Sequence, residues 1–103
     1  MEETLQRTKL AVILDLLEED AHSRGGRSYK ALKNGLTLRI EPLDLGGYQL
    51  AIARRAPSMP SDTEEQIVLR DLAPLFSGSW HRFTNRRATD GAFYNGSILE
   101  YHR

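Results

Sequence analysis

Cysteine is absent from all 103 residues. That excludes disulfides, thiolate zinc sites, iron–sulfur clusters and a cysteine nucleophile. Net charge is absent as well, because fourteen Lys and Arg balance fourteen Asp and Glu. A chain of that kind is a poor candidate for a dedicated polyanion binder. No apolar run approaches the ~20 residues that span a bilayer, and no basic start leads into an apolar stretch with a small-residue cleavage site. The expectation is a protein away from membranes, in the cytoplasm of a bacterial cell or of a phage-infected host.

Catalytic and nucleotide-binding signatures are missing too. There is no Walker loop, no GxGxxG, no GxSxG and no HExxH. His22, His81 and His102 are too scattered in sequence to suggest a metal site. Paired carboxylates occur only at expected helix ends (Glu18-Glu19 and Glu64-Glu65), where capping and solvation account for them. A hydrolase or transferase would have to use His81 with Asp90, or His102 with Glu100, and nothing singles either pair out. No catalytic residue, metal or cofactor is therefore assigned, and an enzyme is the less favoured class.

What is present reads as an ordinary globule. Apolar residues make up 40% and charged residues 27%, unlike a disordered chain. The length suits one domain over residues 1–103 with one modest core. Its clearest pattern lies between Lys33 and Arg55. Leu36, Leu38 and Ile40 alternate with Thr37, Arg39 and Glu41, and Tyr48, Leu50 and Ile52 alternate with Gln49, Ala51, Ala53 and Arg55. For the apolar sets to meet, paired residue numbers must sum to an even value. A two-residue turn at Gly46-Gly47 gives an odd sum, whereas a loop of three residues (Leu45 to Gly47) or five (Leu43 to Gly47) keeps the faces matched. Asn34-Gly35 is a further turn signal. It would pair Tyr29 with Ile40 and Ala31 with Leu38, making a three-stranded meander over 28–55, although Ser28 to Lys33 also suits a short helix.

Helices are expected on either side. Residues 3–20 lack Gly and Pro and carry apolar residues over an arc of roughly 200°, broader than the ≳100° stripe of a surface helix. Contact with a second helix would use that excess, and so would a second copy of the chain. His22 to Arg27 reads as a loop, although its paired glycines flanked by arginines also suit a backbone nest for phosphate. Ser61-Asp62-Thr63-Glu64 is a capping box for a helix over 62–73 that Pro74 stops. After a break at Ser77-Gly78-Ser79, Trp80 and Phe83 are expected as core anchors, followed by a C-terminal hairpin. The fold class is thus α+β: helix, antiparallel meander, helix and hairpin, with both helices on one face of the sheet.

Arginine supplies eleven of the fourteen basic residues, and its planar fork suits carboxylates and phosphates. Arg39, Arg55, Arg82, Arg86 and Arg87 are the candidate contacts, with Trp80 and Tyr94 as stacking platforms. The leading expectation is a non-enzymatic binding, adaptor or inhibitor-type protein that docks on a protein partner, such as a nucleic-acid-handling complex. The alternative is direct binding of RNA or single-stranded DNA by the same residues. Charge discriminates between them, since a neutral chain must segregate its charges by face to hold a polyanion.

Overall fold

The computed structural model describes residues 7–31 and 35–102. Helix α1 (Arg7–Arg24) is followed by strands β1 (Ser28–Ala31), β2 (Thr37–Pro42) and β3 (Tyr48–Arg55). Helix α2 (Asp62–Leu72) and one 3-10 turn (Ala73–Leu75) then lead into β4 (Phe76–Arg87) and β5 (Phe93–Tyr101). The strands form one antiparallel sheet in the order β1-β2-β3-β5-β4. This is the expected α+β order, and the C-terminal hairpin extends the meander. No helix among the described residues is long and apolar enough to cross a membrane.

Both helices lie against one face of the sheet. Leu10, Ile13, Leu14, Leu17 and Ala21 of α1 and Val68 and Leu72 of α2 join Leu36, Leu38, Ile40, Leu50, Ile52, Leu99 and Tyr101 in one buried cluster. The α1 positions recur at three- and four-residue spacing, so they share one stripe. The remainder of its broad apolar arc stays outside, with Val12 58% and Leu16 60% exposed. At the rim of this core the Tyr101 hydroxyl donates to Glu18 Oε2 at 2.7 Å.

The β2–β3 register keeps the expected even parity and uses the five-residue loop of the two that allow it. Pro42 pairs with Tyr48, Ile40 with Leu50 and Leu38 with Ile52, across the five-residue loop. Gly46 and Gly47 carry the positive φ that this loop needs. The β1–β2 register departs from expectation by one residue. Ser28, not Tyr29, pairs with Ile40, and Lys30 pairs with Leu38. The cause is tertiary: the Ser28 hydroxyl turns inward to Asp20 of α1. A one-residue slip flips every side chain, so Tyr29 points away from the helices. Asn34, the first residue of the expected turn, lies outside the described residues, as do the helix residues expected at 3–6.

Helix α1 runs on through the expected loop to Arg24, whose guanidinium pairs with Asp20 one turn earlier at 3.0 Å. It ends in a Schellman motif. Gly25 has φ +67, its N–H donates to His22 O, and the Gly26 N–H donates to Ala21 O. The two glycines stop a helix, which accounts for them without a phosphate.

Helix α2 begins with the expected reciprocal cap, Glu64 N–H to Ser61 Oγ at 3.1 Å and Ser61 N–H to Glu64 Oε1 at 2.9 Å. Glu64 also takes the Arg54 guanidinium at 2.6 Å. Burial pulls the Glu64 carboxyl up, but Arg54 and the Ser61 groups outweigh it, and the net position lies below the ordinary 4.5. A carboxyl held lower in the folded chain than in the unfolded one stabilises the fold above the unfolded value, and that stability is lost as pH falls through the folded value. Urea midpoints should therefore drop as pH is lowered below about 4.5. Glu64→Gln should flatten that dependence in part, because Asp20 and Asp90 are shifted in the same direction.

Strand β4 passes straight through Ser77-Gly78-Ser79, where a break is expected. It accommodates them by register shifts between Phe76 and Trp80 and between Phe83 and Arg86, the second containing Asn85 at φ +47. An added Cβ at Gly78 would stand 2.6 Å from Glu100 Oε2, so a larger residue there would make the Glu100 side chain shift. Trp80 is exposed and Phe83 half-buried, so neither anchors the core. Both sit on an edge strand with the sheet on one side only.

Candidate functional site

Because both helices cover one face, the residues between the core positions of each strand share the other, open face. Strand pairing arranges them in four rows. Glu41, Gln49 and Glu100 form the first row. Tyr29, Arg39, Ala51, Ile98 and His81 form the second. Ala31, Thr37, Ala53, Gly96 and Phe83 form the third. Arg55, Tyr94 and Arg86 form the fourth.

The middle of this face is built from Ala51, Ala53, Gly96 and Ile98, of which only Ala53 is more than marginally accessible; Ala51, Gly96 and Ile98 are buried. Gly96 answers to a close approach inside the sheet, since an added Cβ would come within 2.8 Å of Ala53 Cα and 2.9 Å of the Ile52 carbonyl carbon. Around the middle stand long side chains. Arg86 lies over the Phe83 ring at 4.9 Å. Arg39 is half-buried; burial lowers its pKa, neighbouring Glu41 raises it, and Arg27 and Arg86 lower it further. The Tyr94 hydroxyl donates to Asp90 at 2.9 Å, which together with burial pushes its pKa up while Arg55 opposes.

Charge on the face is mixed and polarised along the strands. Glu41 and Glu100 occupy one end, Arg55 and Arg86 the other, with Arg39 beside Glu41. Glu100, Arg55 and Arg86 form no salt bridge with any described residue.

Of the seven sequence candidates, Arg39, Arg55, Arg86 and Tyr94 come together on the open face. The other three do not. Strand alternation sends Trp80, Arg82 and Arg87 to the helix side of β4. There Arg82 reaches α2, 3.3 Å from Glu65 and 3.7 Å from Asp62, and lies over the Trp80 ring at 5.5 Å. Glu65 is buried and also accepts from Ser97 Oγ at 2.5 Å. Tyr29, Phe83 and His81 join the face although the sequence does not single them out as contacts; Phe83 is expected in the core. The off-by-one register hid Tyr29, and the expected break before Trp80 hid the other two.

A second feature lies at the end of the face. Arg55, Ala56, Pro57, Asn85, Gly91, Ala92 and Phe93 line an open groove of ≈ 610 Å³. Asn95 secures it from below: its side chain accepts from the Asn85 N–H at 2.8 Å and donates to Ser58 O at 2.9 Å. No histidine and no carboxylate lines the groove. Among the described residues no group of three or more His, Asp or Glu side chains is placed to hold a metal ion. Comparison with protein-family models, with curated proteins and with solved structures returns no match to this chain.

Proposed function

We propose that this is a non-enzymatic binding protein that docks on a protein partner through the open face of its sheet. The observation that carries this reading is the helix-free face itself, which gathers Tyr29, Arg39, Phe83, Arg86 and Tyr94 on one side of the sheet. Aromatic residues and arginine are the side chains enriched at protein interfaces. Acids interleave with those arginines: Glu41 adjoins Arg39, Glu100 shares its row, and Asp90 adjoins Tyr94. A protein surface can present both signs of charge, whereas a polyanion meets repulsion from each carboxylate.

Direct binding of RNA or single-stranded DNA is the second reading. It is favoured by the same three outward arginines beside stackable rings. Fluorescence anisotropy with labelled oligonucleotides at about 50 and 200 mM salt separates the two. Protein docking predicts no binding at micromolar protein in the lower salt. Binding that weakens steeply with salt would move nucleic acid to first place. In parallel, Ala53→Arg should abolish capture of the protein partner without changing the melting temperature, because Ala53 points outward from mid-face. Retained capture by that variant would remove the face from the interface.

A further inference from the structure

The four rows of the open face are complementary to themselves. Consider a second copy placed face to face, related by a two-fold axis that lies between the sheets and runs across the strands. Such an axis lays each strand over its own counterpart and reverses its direction. The first row then meets the fourth, and the second meets the third.

That exchange brings opposite charges together, with Asp90 beside Tyr94 as a like-charged neighbour of the incoming carboxylate. Glu100 of one copy stands over Tyr94 of the other, between Arg55 and Arg86, the two guanidiniums that form no salt bridge with any described residue of their own chain. Glu41 approaches the same Arg55 from the neighbouring strand. Large side chains meet small ones, Tyr29 over Ala31 and Arg39 over Thr37, with His81 against Phe83. The alternative two-fold, running along the strands, would set the Glu41–Glu100 row on itself and the Arg55–Arg86 row on itself. Strand spacing of about 4.8 Å and a rise of about 3.3 Å give a five-strand face of roughly 600 Å² per copy. Both copies together bury about 1,200 Å², at the lower edge of stable specific interfaces.

We infer that the partner of this face is a second copy of the chain, held by crossed Glu100 contacts to Arg55 and Arg86 around the alanine and glycine centre. This rests on the proposed role of the open face and adds the identity of what covers it. Light scattering coupled to size exclusion is the test. At about 100 μM protein and low salt the mass should be that of two 11.7 kDa chains, shifting toward monomer as salt rises. Glu100→Lys should raise the dimer dissociation constant at least about tenfold, and Glu100→Lys with Arg86→Glu should recover most of that loss by exchanging the two signs. Circular dichroism melts check that each variant folds, and rescue by the exchange cannot come from a misfolded chain.

A monomer at every concentration overturns the inference. So does a dimer that survives both Glu100→Lys and Ala53→Arg, or one broken instead by Leu16→Glu on α1. If the chain is monomeric while capture of another protein is still lost in Ala53→Arg, only the identity of the partner is wrong. If capture is also indifferent to Ala53→Arg, the role of the face falls with it.

Discussion

Replacing Gly96 with alanine should destabilise the fold by about 3 kcal/mol or more. The glycine lies on β5 opposite Ala53 of β3, where the two backbones run so close that a Cβ would meet Ile52 carbonyl atoms and stand 2.8 Å from Ala53 Cα. All of these are main-chain atoms in the middle of the sheet, so no side chain can swing aside. Relief requires prying β3 from β5, which carry Leu50, Ile52, Leu99 and Tyr101 into the core. Overpacking usually costs about 1–3 kcal/mol where side chains can adjust, and this site should lie at or above the top of that range. A chain of this size holds about 5–15 kcal/mol in total. A urea midpoint within experimental error of the parent would mean that the strands separate there without cost. Gly91→Ala is the control, because nothing lies within 4 Å of its added Cβ and only its φ of +85 is strained.

Leu50→Ala is expected to destabilise the fold by about 2–5 kcal/mol, the range for large-to-small changes at buried sites. Leu50 is fully buried, pairs with Ile40 on one side and Leu99 on the other, and sits beneath both helices. Ile40→Ala should behave alike, since Ile40 is equally buried one strand away. The two effects should not sum, because neighbours in contact share one cavity. A loss of under ~1 kcal/mol for either would fall close to the ±0.5 kcal/mol of surface changes and would place the core on the opposite face of the sheet.

Legibility in the sequence followed how local each cause is. Which faces of β2 and β3 meet could be read because parity, glycine and alternation all act within twenty residues, whereas parity alone did not choose between the three- and five-residue loops. The α2 cap could be read because both of its hydrogen bonds span three. The β1 register could not, since it is set by Ser28 reaching back to Asp20 and by Leu36 filling the core from outside a strand. Strand β4 hid itself because bulges and an edge position suppress alternation, and aromatic residues on an edge need not be core. In the site, the outward direction of Arg39 and Arg55 followed from strand parity. The loss of Arg82 to Glu65, seventeen residues away, left no local trace.

The strand order also dictates a timetable. β5 is the last strand synthesised, yet it lies between β3 and β4 and joins them. Until it arrives, β3 carries an open edge from Tyr48 to Arg55, and β4 has no neighbour in the sheet. At roughly 5–20 residues per second, the ~46 residues separating the ends of β3 and β5 take about 2–9 s to make. Through that interval the nascent meander exposes a row of unpaired backbone donors and acceptors beside half of its apolar core. An extended segment from any other chain that reached this edge would compete with β5 for its place. A ribosome-bound chain carrying residues 1–92 on a flexible linker long enough to clear the exit tunnel should accordingly aggregate or recruit a chaperone, and extending the displayed segment through Tyr101 should cure it.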